Sequence, residues 1–356
     1  PLPDDFPTIK VIKADPSRME PGITMCTVPR WENSFASLDI GWFIALDAAG
    51  EVVWYLRMPE PAGAIRRLSN GDFALLHGAR PTGLRVIDPL GYVQQQYRAV
   101  KSGIQPGEGE LPVDADTFHH CMYELPNGNW LVPTTEVRRV DNYPASERQP
   151  DRKATANVVG DVILEIRPRD GTLAGQWKLL DILDPTRIGY GSLERFWDLR
   201  AYPFVLGGTK DWSHTNSVAY DPTDDGLLVC MRHQDAVVKI DRKTSEVRWI
   251  LGDPSGWKGR LADRVLKPAE GLVWPYHSHA IEFEPGGKLL LFDNGNCRAM
   301  PPQKPQTWTV SYSRAVEFQI DERAGTVREL WSYGGPGKNR FFSAFVGSSD
   351  WMRHTG

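Results

Sequence analysis

The sequence predicts an all-β protein folded as a β-propeller, and three recurring patterns predict it. Runs that open on a turn residue, alternate, and contain or end in a large aromatic appear five times: GEVVWYL (50–56), GYVQQQY (91–97), GTLAGQW (171–177), SEVRWIL (245–251) and GTVRELW (325–331). Turns of one kind, SNGD, PNGN, PTDDG and PGGK, each lead into an apolar run, FALL, WLV, LLV and LLLF. A third segment returns as FIALD, LRVID, VILEI, AVVKID and AVEFQI. In chain order one unit reads strand a, turn, strand b, loop, strand c, short turn, strand d. Repeated four-stranded antiparallel units are the sequence form of a propeller. Coincidental hairpins of a β-sandwich would not keep this order four times.

The elements follow in order. Residues 1–37 read as an N-terminal lead-in and 38–356 as a single propeller domain. Residues 38–57 supply only strands c and d, and four complete units follow. Residues 348–356, SSDWMRHTG, read as a strand a that stops at its turn, so the chain is expected to end within a blade. Three insertions, 136–160 (b to c), 180–211 (d to a) and 252–275 (d to a), are expected as long loops on one face, because antiparallel strands alternate direction. Trp54, Trp177, Trp249 and Trp331 are expected to pack between blades, where large rings bury most area.

Composition excludes some functions. The formal net charge is −4 and no long basic run is present, which argues against nucleic acid. No apolar run reaches the roughly 18 residues that span a membrane. No signal peptide is visible, and the chain starts at Pro1. The cysteines Cys26, Cys121, Cys230 and Cys297 form no CxxC pair, so no structural zinc site is expected.

Aligning the units by their turn proline makes Pro126, Pro222 and Pro285 equivalent. Six residues earlier stand His120, Asn216 and His279, and two residues before those stand Phe118, His214 and His277. Strand a lines the channel of a propeller, so these positions should converge on the axis. Residues i and i+2 of a strand share a face, which sends His214 and Asn216 the same way and adjacent His119 and His120 opposite ways. Arg232 ends strand b of its unit, on the face where strand a begins. His233, next to it, is expected outside the site, and His77 is expected to be structural. His354 lies in the unfinished repeat.

Imidazoles, an amide and a guanidinium at a channel mouth suit an oxyanion. Arg offers a planar fork for sulfate or phosphate oxygens, and a neutral imidazole serves as nucleophile or base. There is no phosphate-cradling GxxxxGK[ST] and no GxSxG elbow. The segments DWSHTNSVAYD, MRHQDAVVKID, VRWILGDP and LLLFDNGN, with the opening LPDDFPTIKVIKADPSRMEPG, resemble the bacterial arylsulfate sulfotransferases over nearly the whole chain. That resemblance implies six blades, and transfer of a sulfuryl group from a phenyl sulfate to a phenol by a ping-pong route without a nucleotide sulfate donor. It implies His279 as the nucleophile and matches His214, Asn216 and Arg232 to the sulfate-holding motif. The earlier active-site histidine falls in TFHHCMYELPNGN, where the internal alignment selects His120. His119, His277 and Asn294 join Asn216 as substrate-binding residues.

The resemblance also implies a periplasmic enzyme with small-molecule partners, no cofactor and no metal. The family's enterobacterial members dimerise with the help of an upstream β-sandwich not seen in these residues, which leaves a homodimer open. The competing readings are a propeller lyase acting on an acidic sugar, with a metal held by His120, His214, His277 and His279, and a non-catalytic binding propeller.

Overall fold

The computed structural model describes residues 2–30, 40–58, 62–77, 82–101 and 103–352. Five sheets follow one another along the chain in a propeller arrangement. The first holds Thr24–Arg30, Ile40–Leu46 and Val52–Met58. The second runs Ala62–Arg67, Phe73–His77, Gly83–Ile87 and Val93–Ala99, with Glu110–Val113 added in parallel at its edge. The third runs Tyr123–Glu124, Trp130–Pro144, Lys153–Ile166 and Leu173–Lys178. The fourth runs Thr215–Asp221, Gly226–Met231, Ala236–Asp241 and Val247–Gly252. The fifth runs His279–Glu284, Lys288–Asp293, Arg314–Asp321 and Thr326–Gly334.

The four complete repeats of the sequence are the second to fifth sheets. Each chain segment pairs with the next, antiparallel, as the a-b-c-d order requires. The resemblance implies six blades, whereas five sheets lie among the described residues. Residues 38–57 acquire a third strand, because Thr24–Arg30 pairs with Ile40–Leu46. Residues 348–352 form no strand. Instead the Trp351 backbone N–H and indole N–H donate to Glu282 and Glu317 of the fifth sheet.

The period of two explains the packing. In Gly226–Met231, Leu227, Val229 and Met231 enter a core shared with the third sheet, beside Leu131, Ile163 and Trp177. Leu228 and Cys230 enter the core shared with the fifth, beside Leu289 and Phe318. A strand buried on both faces needs an unbroken apolar run, which is why LLV reads as it does. Trp177 and Trp249 are buried as expected and Trp54 packs against the core of the first two sheets. Trp331 is not: it stands 52% exposed in Thr326–Gly334, beyond the short edge pairing of that strand with Lys267–Pro268, alongside exposed Leu330 and Tyr333.

One insertion is not a loop. Residues 136–160 continue strands b and c into a long hairpin, paired from Trp130↔Ile166 to Pro144↔Lys153. Val137, Val140, Val158 and Val159 keep strand propensity going, so the ladder extends where a loop was expected. The insertions 180–211 and 252–275 are mostly irregular, with one helical turn at Leu179–Ile182 and a 3-10 helix at Gly259–Arg264. All four cysteines are free thiols. No helix among the described residues is long and apolar enough to cross a membrane.

Candidate functional site

The site is built where inner strands lose regularity. The ladders shift register between Thr215 and Ser217 and between His279 and Glu282. His120, His214 and His277 all take left-handed backbone, at φ 60°, 49° and 55°. Such conformations are costly outside glycine and persist where surrounding structure holds them. His214 therefore precedes its strand, and strand alternation is not what orients it. The same break corrects the expectation for His119 and His120. Their rings do not point apart but meet edge-on at 5.0 Å, with the two Nδ1 atoms 2.8 Å apart.

Ring contacts then run across the blades. His120 meets His214 at 4.8 Å, His214 meets His233 at 4.6 Å, and His233 meets His277 at 6.0 Å. His233, expected outside, lies fully buried in the middle of this chain. It turns inward because it sits in the middle of a 3-10 turn, Arg232–Gln234, where strand alternation has ended. Its neighbour Gly191 permits the approach: a Cβ there would sit 2.7 Å from the His233 ring. The side chain of His77, and His354, lie outside the described residues.

Carboxylates set the tautomers. Asp211 Oδ2 accepts the Nδ1 proton of His214 at 2.5 Å, while Asp211 Oδ1 accepts from the Trp197 indole at 2.8 Å. Asp235 Oδ1 accepts from both the backbone N–H and Nδ1 of His277. His119 Nε2 stands 3.2 Å from Asp161 Oδ1, and Asp161 Oδ2 is held by Ser213 and the Thr215 N–H. With Nδ1 committed and burial keeping the ring neutral, Nε2 of His214 is left as a lone pair.

His279 follows the same rule with a neutral partner. Its Nδ1–H donates to Asn294 Oδ1 at 2.6 Å. Asn294 is oriented in turn, because its amide N–H groups donate to the Ser343 and Val346 carbonyls. Both ends of this amide are engaged inside the protein. Asn216 donates to the Ser278 carbonyl, which stands between His277 and His279. Arg232 donates to His233 Nε2 at 2.6 Å and to the Ala344 carbonyl at 3.3 Å. His233 Nδ1–H donates to the Asp211 carbonyl, so its Nε2 is an acceptor and the ring is neutral. Arg232 has no carboxylate within ion-pair distance among the described residues.

Burial is the main electrostatic force here. It pushes His120 well below the ordinary histidine range, with His214 and His119 adding to the effect. It does the same to His214, with Arg232 as the largest neighbouring contribution. His279 falls to about 3, from burial and Arg232, against the opposing bond to Asn294. Burial lifts Asp211 to about 6. Burial also opposes ionisation of Asp161, yet His119, Ser213 and the Thr215 N–H outweigh it and hold the carboxyl down to about 2. Burial thus holds His120, His214, His233 and His279 neutral beside Arg232, a guanidinium with no carboxylate in ion-pair reach among the described residues.

Of the eight residues singled out in the sequence, His119, His120, His214 and His277 are joined by ring contacts and Arg232 joins them through His233. Asn216 reaches the backbone between His277 and His279, and His279 pairs with Asn294. Sequence reasoning missed Asp161, Asp235, Trp197 and His233, and it left Asp211 without a role. The metal set it weighed does not assemble: among the described residues, the donors that converge within 4.8 Å are Asp211, His214 and His233, and Asp221, Asp224 and Glu322. In the first group the ring Nδ1 protons are already held. In the second, the Lys239 ammonium occupies the centre, 2.7, 2.9 and 2.5 Å from the three carboxylates.

A family model described as arylsulfotransferase matches residues 8–356. The chain is 32% identical over 268 residues to an arylsulfate sulfotransferase of Escherichia coli O6:H1, covering 64% of this chain and 42% of that protein. It is 30% identical over 234 residues to an arylsulfate sulfotransferase of Lelliottia amnigena, covering 55% and 38%. The chain thus spans roughly two-fifths of the length of these curated relatives. Among solved structures, virginiamycin B lyase from Staphylococcus aureus aligns at 10% identity and a TM-score of 0.37, over 89% of this chain and 90% of that one. A likeness that slight says nothing about chemistry.

Proposed function

The chain belongs to the arylsulfotransferase family, and from that premise we propose that it moves a sulfuryl group from a phenolic sulfate ester to a phenolic acceptor. The route is ping-pong, needs no nucleotide sulfate donor, and passes through a sulfohistidine at His279. One observation carries the reading: His279 gives its Nδ1 proton to Asn294 and keeps a neutral Nε2 lone pair near a guanidinium without a counter-ion.

In the first half-reaction His279 Nε2 attacks sulfur, the S–N bond forms and the S–O bond to the aryl oxygen breaks. The ring becomes positive, and Asn294 Oδ1 stabilises the Nδ1–H that remains. Arg232 and Asn216 hold the sulfuryl oxygens, where charge redistributes in the transition state. The bound anion raises the proton affinity of the Asp211–His214 dyad, which takes up one proton from solvent as the donor binds and passes it from His214 Nε2 to the leaving phenolate. In the second half-reaction the dyad takes the proton of the incoming phenol, whose oxygen attacks sulfur and releases His279. Asp211 holds His214 as the acid of a catalytic triad holds its histidine. His120 packs against His214, and His277 against His233, bounding the pocket in which the sulfuryl group is held. The same reading places the work in the periplasm.

Rapid quench with donor alone, followed by peptide mass spectrometry, tests it. One sulfuryl group is expected on the peptide that contains His279. His279→Asn should lose both half-reactions by roughly 10³-fold or more, as for residues acting as a unit. An adduct on another residue, or full activity in the variant, would overturn the reading.

A further inference from the structure

The insertion 180–211 carries a second cation to the site. Arg200 Cζ lies 3.9 Å from the centroid of the Phe196 ring, and that ring meets His214 edge-on at 4.8 Å. The guanidinium therefore stands no farther from the imidazole than those two distances together. Its one hydrogen bond among the described residues is to the Phe196 carbonyl.

The nearby acids are all engaged elsewhere. Asp198, two residues away, is taken by Arg195 and by Thr209. Asp116 accepts from Tyr202, and Asp211 from Trp197 and His214. No carboxylate lies within ion-pair distance of Arg200 among the described residues. The loop is nonetheless fixed in place: Tyr202 ties it to the third sheet through Thr135, and Trp197 ties it to Asp211. Burial lowers the pKa of Arg200, with only Asp211 acting against it. A half-buried guanidinium stacked on an aromatic ring, on a braced loop and without a counter-ion, is arranged for an anion supplied from outside.

We infer that Phe196 and Arg200 form a subsite for the substituent of an aromatic substrate, selecting phenols that carry a carboxylate. The inference rests on the transfer reading for its geometry: the phenolic oxygen faces His214, the substrate ring lies near Phe196, and the carboxylate reaches Arg200. In a ping-pong route one pocket serves donor and acceptor in turn, so the preference should apply to both.

The test compares para-hydroxybenzoate with its methyl ester, which has the same ring and no charge. Calorimetric binding to the whole protein is measured first, and transfer from a chromogenic phenyl sulfate second. The acid is expected to bind at least about tenfold more tightly than the ester, as charge-assisted hydrogen bonds do, and the gap should narrow as ionic strength rises. In Arg200→Met the acid-to-ester ratio should fall toward one, and Arg200→Lys should retain part of it. The salt dependence of the unaltered protein probes the same ion pair without a variant. A ratio near one in the unaltered protein, or an unchanged ratio in Arg200→Met, overturns the subsite. Acid preference in binding with no transfer to either phenol supports the subsite and sinks the transfer reading; transfer without acid preference does the reverse.

Discussion

Asp211 serves chemistry against stability. It is fully buried and orients His214, and burial lifts its carboxyl to about 6. A carboxyl raised above its unfolded value contributes stability that is fully present below about 3.8 and lost as pH rises through about 6. At neutral pH the buried carboxylate therefore opposes folding by about 3 kcal/mol. Asp211→Asn should lower turnover by roughly 10²- to 10⁴-fold. Its stability relative to the unaltered protein should improve as pH rises from about 5 to about 8. Denaturant melts at the two ends of that range check this, and a pH-independent difference would refute it. Asp211 stands in the same DWSHTN run as His214, so the pair was within reach of sequence reading; the turn that folds one onto the other was not. Asp161 and Asp235 were beyond reach, since the groups they hold at Thr215 and His277 lie 54 and 42 residues away. Asn294 was picked out, but its sequence context could not show that it faces His279.

At the scale of the element, repeat periodicity showed nearly everything about strand order, because a blade buried on both faces writes its apolar runs into each strand. It failed where strands change character. The bulged ends of the inner strands place His120, His214 and His277 by left-handed backbone, which no period of two foretells. The hairpin Trp130–Pro144/Lys153–Ile166 has strand-like sequence inside what the repeat makes an insertion. Blade contacts also include charge. Lys239, fully buried in the fourth sheet, is held by Asp221 and Asp224 of that sheet's first turn and by Glu322 of the fifth sheet. Burial opposes its charge and the three carboxylates outweigh that, raising its pKa. Removing one partner of such a cluster leaves the others uncompensated, so Lys239→Met should destabilise by about 3 kcal/mol. The lower end of the usual range applies because Asp224 and Glu322 are partly exposed. Urea unfolding measures it; a loss below about 1 kcal/mol would show the carboxylates relaxing to solvent instead.

For the whole molecule, the neutral site makes acid the weak side of the fold. His120, His214, His233 and His279 all have pKa values depressed mainly by burial, His279 to about 3. A depressed histidine contributes stability that is present above its unfolded value near 6.5 and lost as pH falls toward its folded value. Each such site removes about 1.4 kcal/mol per pH unit once the unfolded chain begins to bind protons. Asp211 offsets one of the four between about 6 and 3.8, because its proton binds the folded state more tightly. Asp161, held near 2, acts only in stronger acid. Three net protons amount to about 4 kcal/mol per pH unit, a large part of an ordinary domain's stability. Calorimetry should therefore find the unfolding temperature level above about pH 7 and falling steeply below about 6.5. His279→Asn should make that fall shallower by one proton. An unfolding temperature unchanged down to about pH 5 would mean that the imidazoles reach solvent and are not held neutral. Acid inactivation then has two distinguishable sources. The His279 lone pair survives to about 3, so the nucleophile is not lost near pH 5 to 6. Activity lost there comes from melting of the fold or from protonation of Asp211 at about 6, and in Asp211→Asn, which removes that titration, the residual activity should fall only where the melting curve falls.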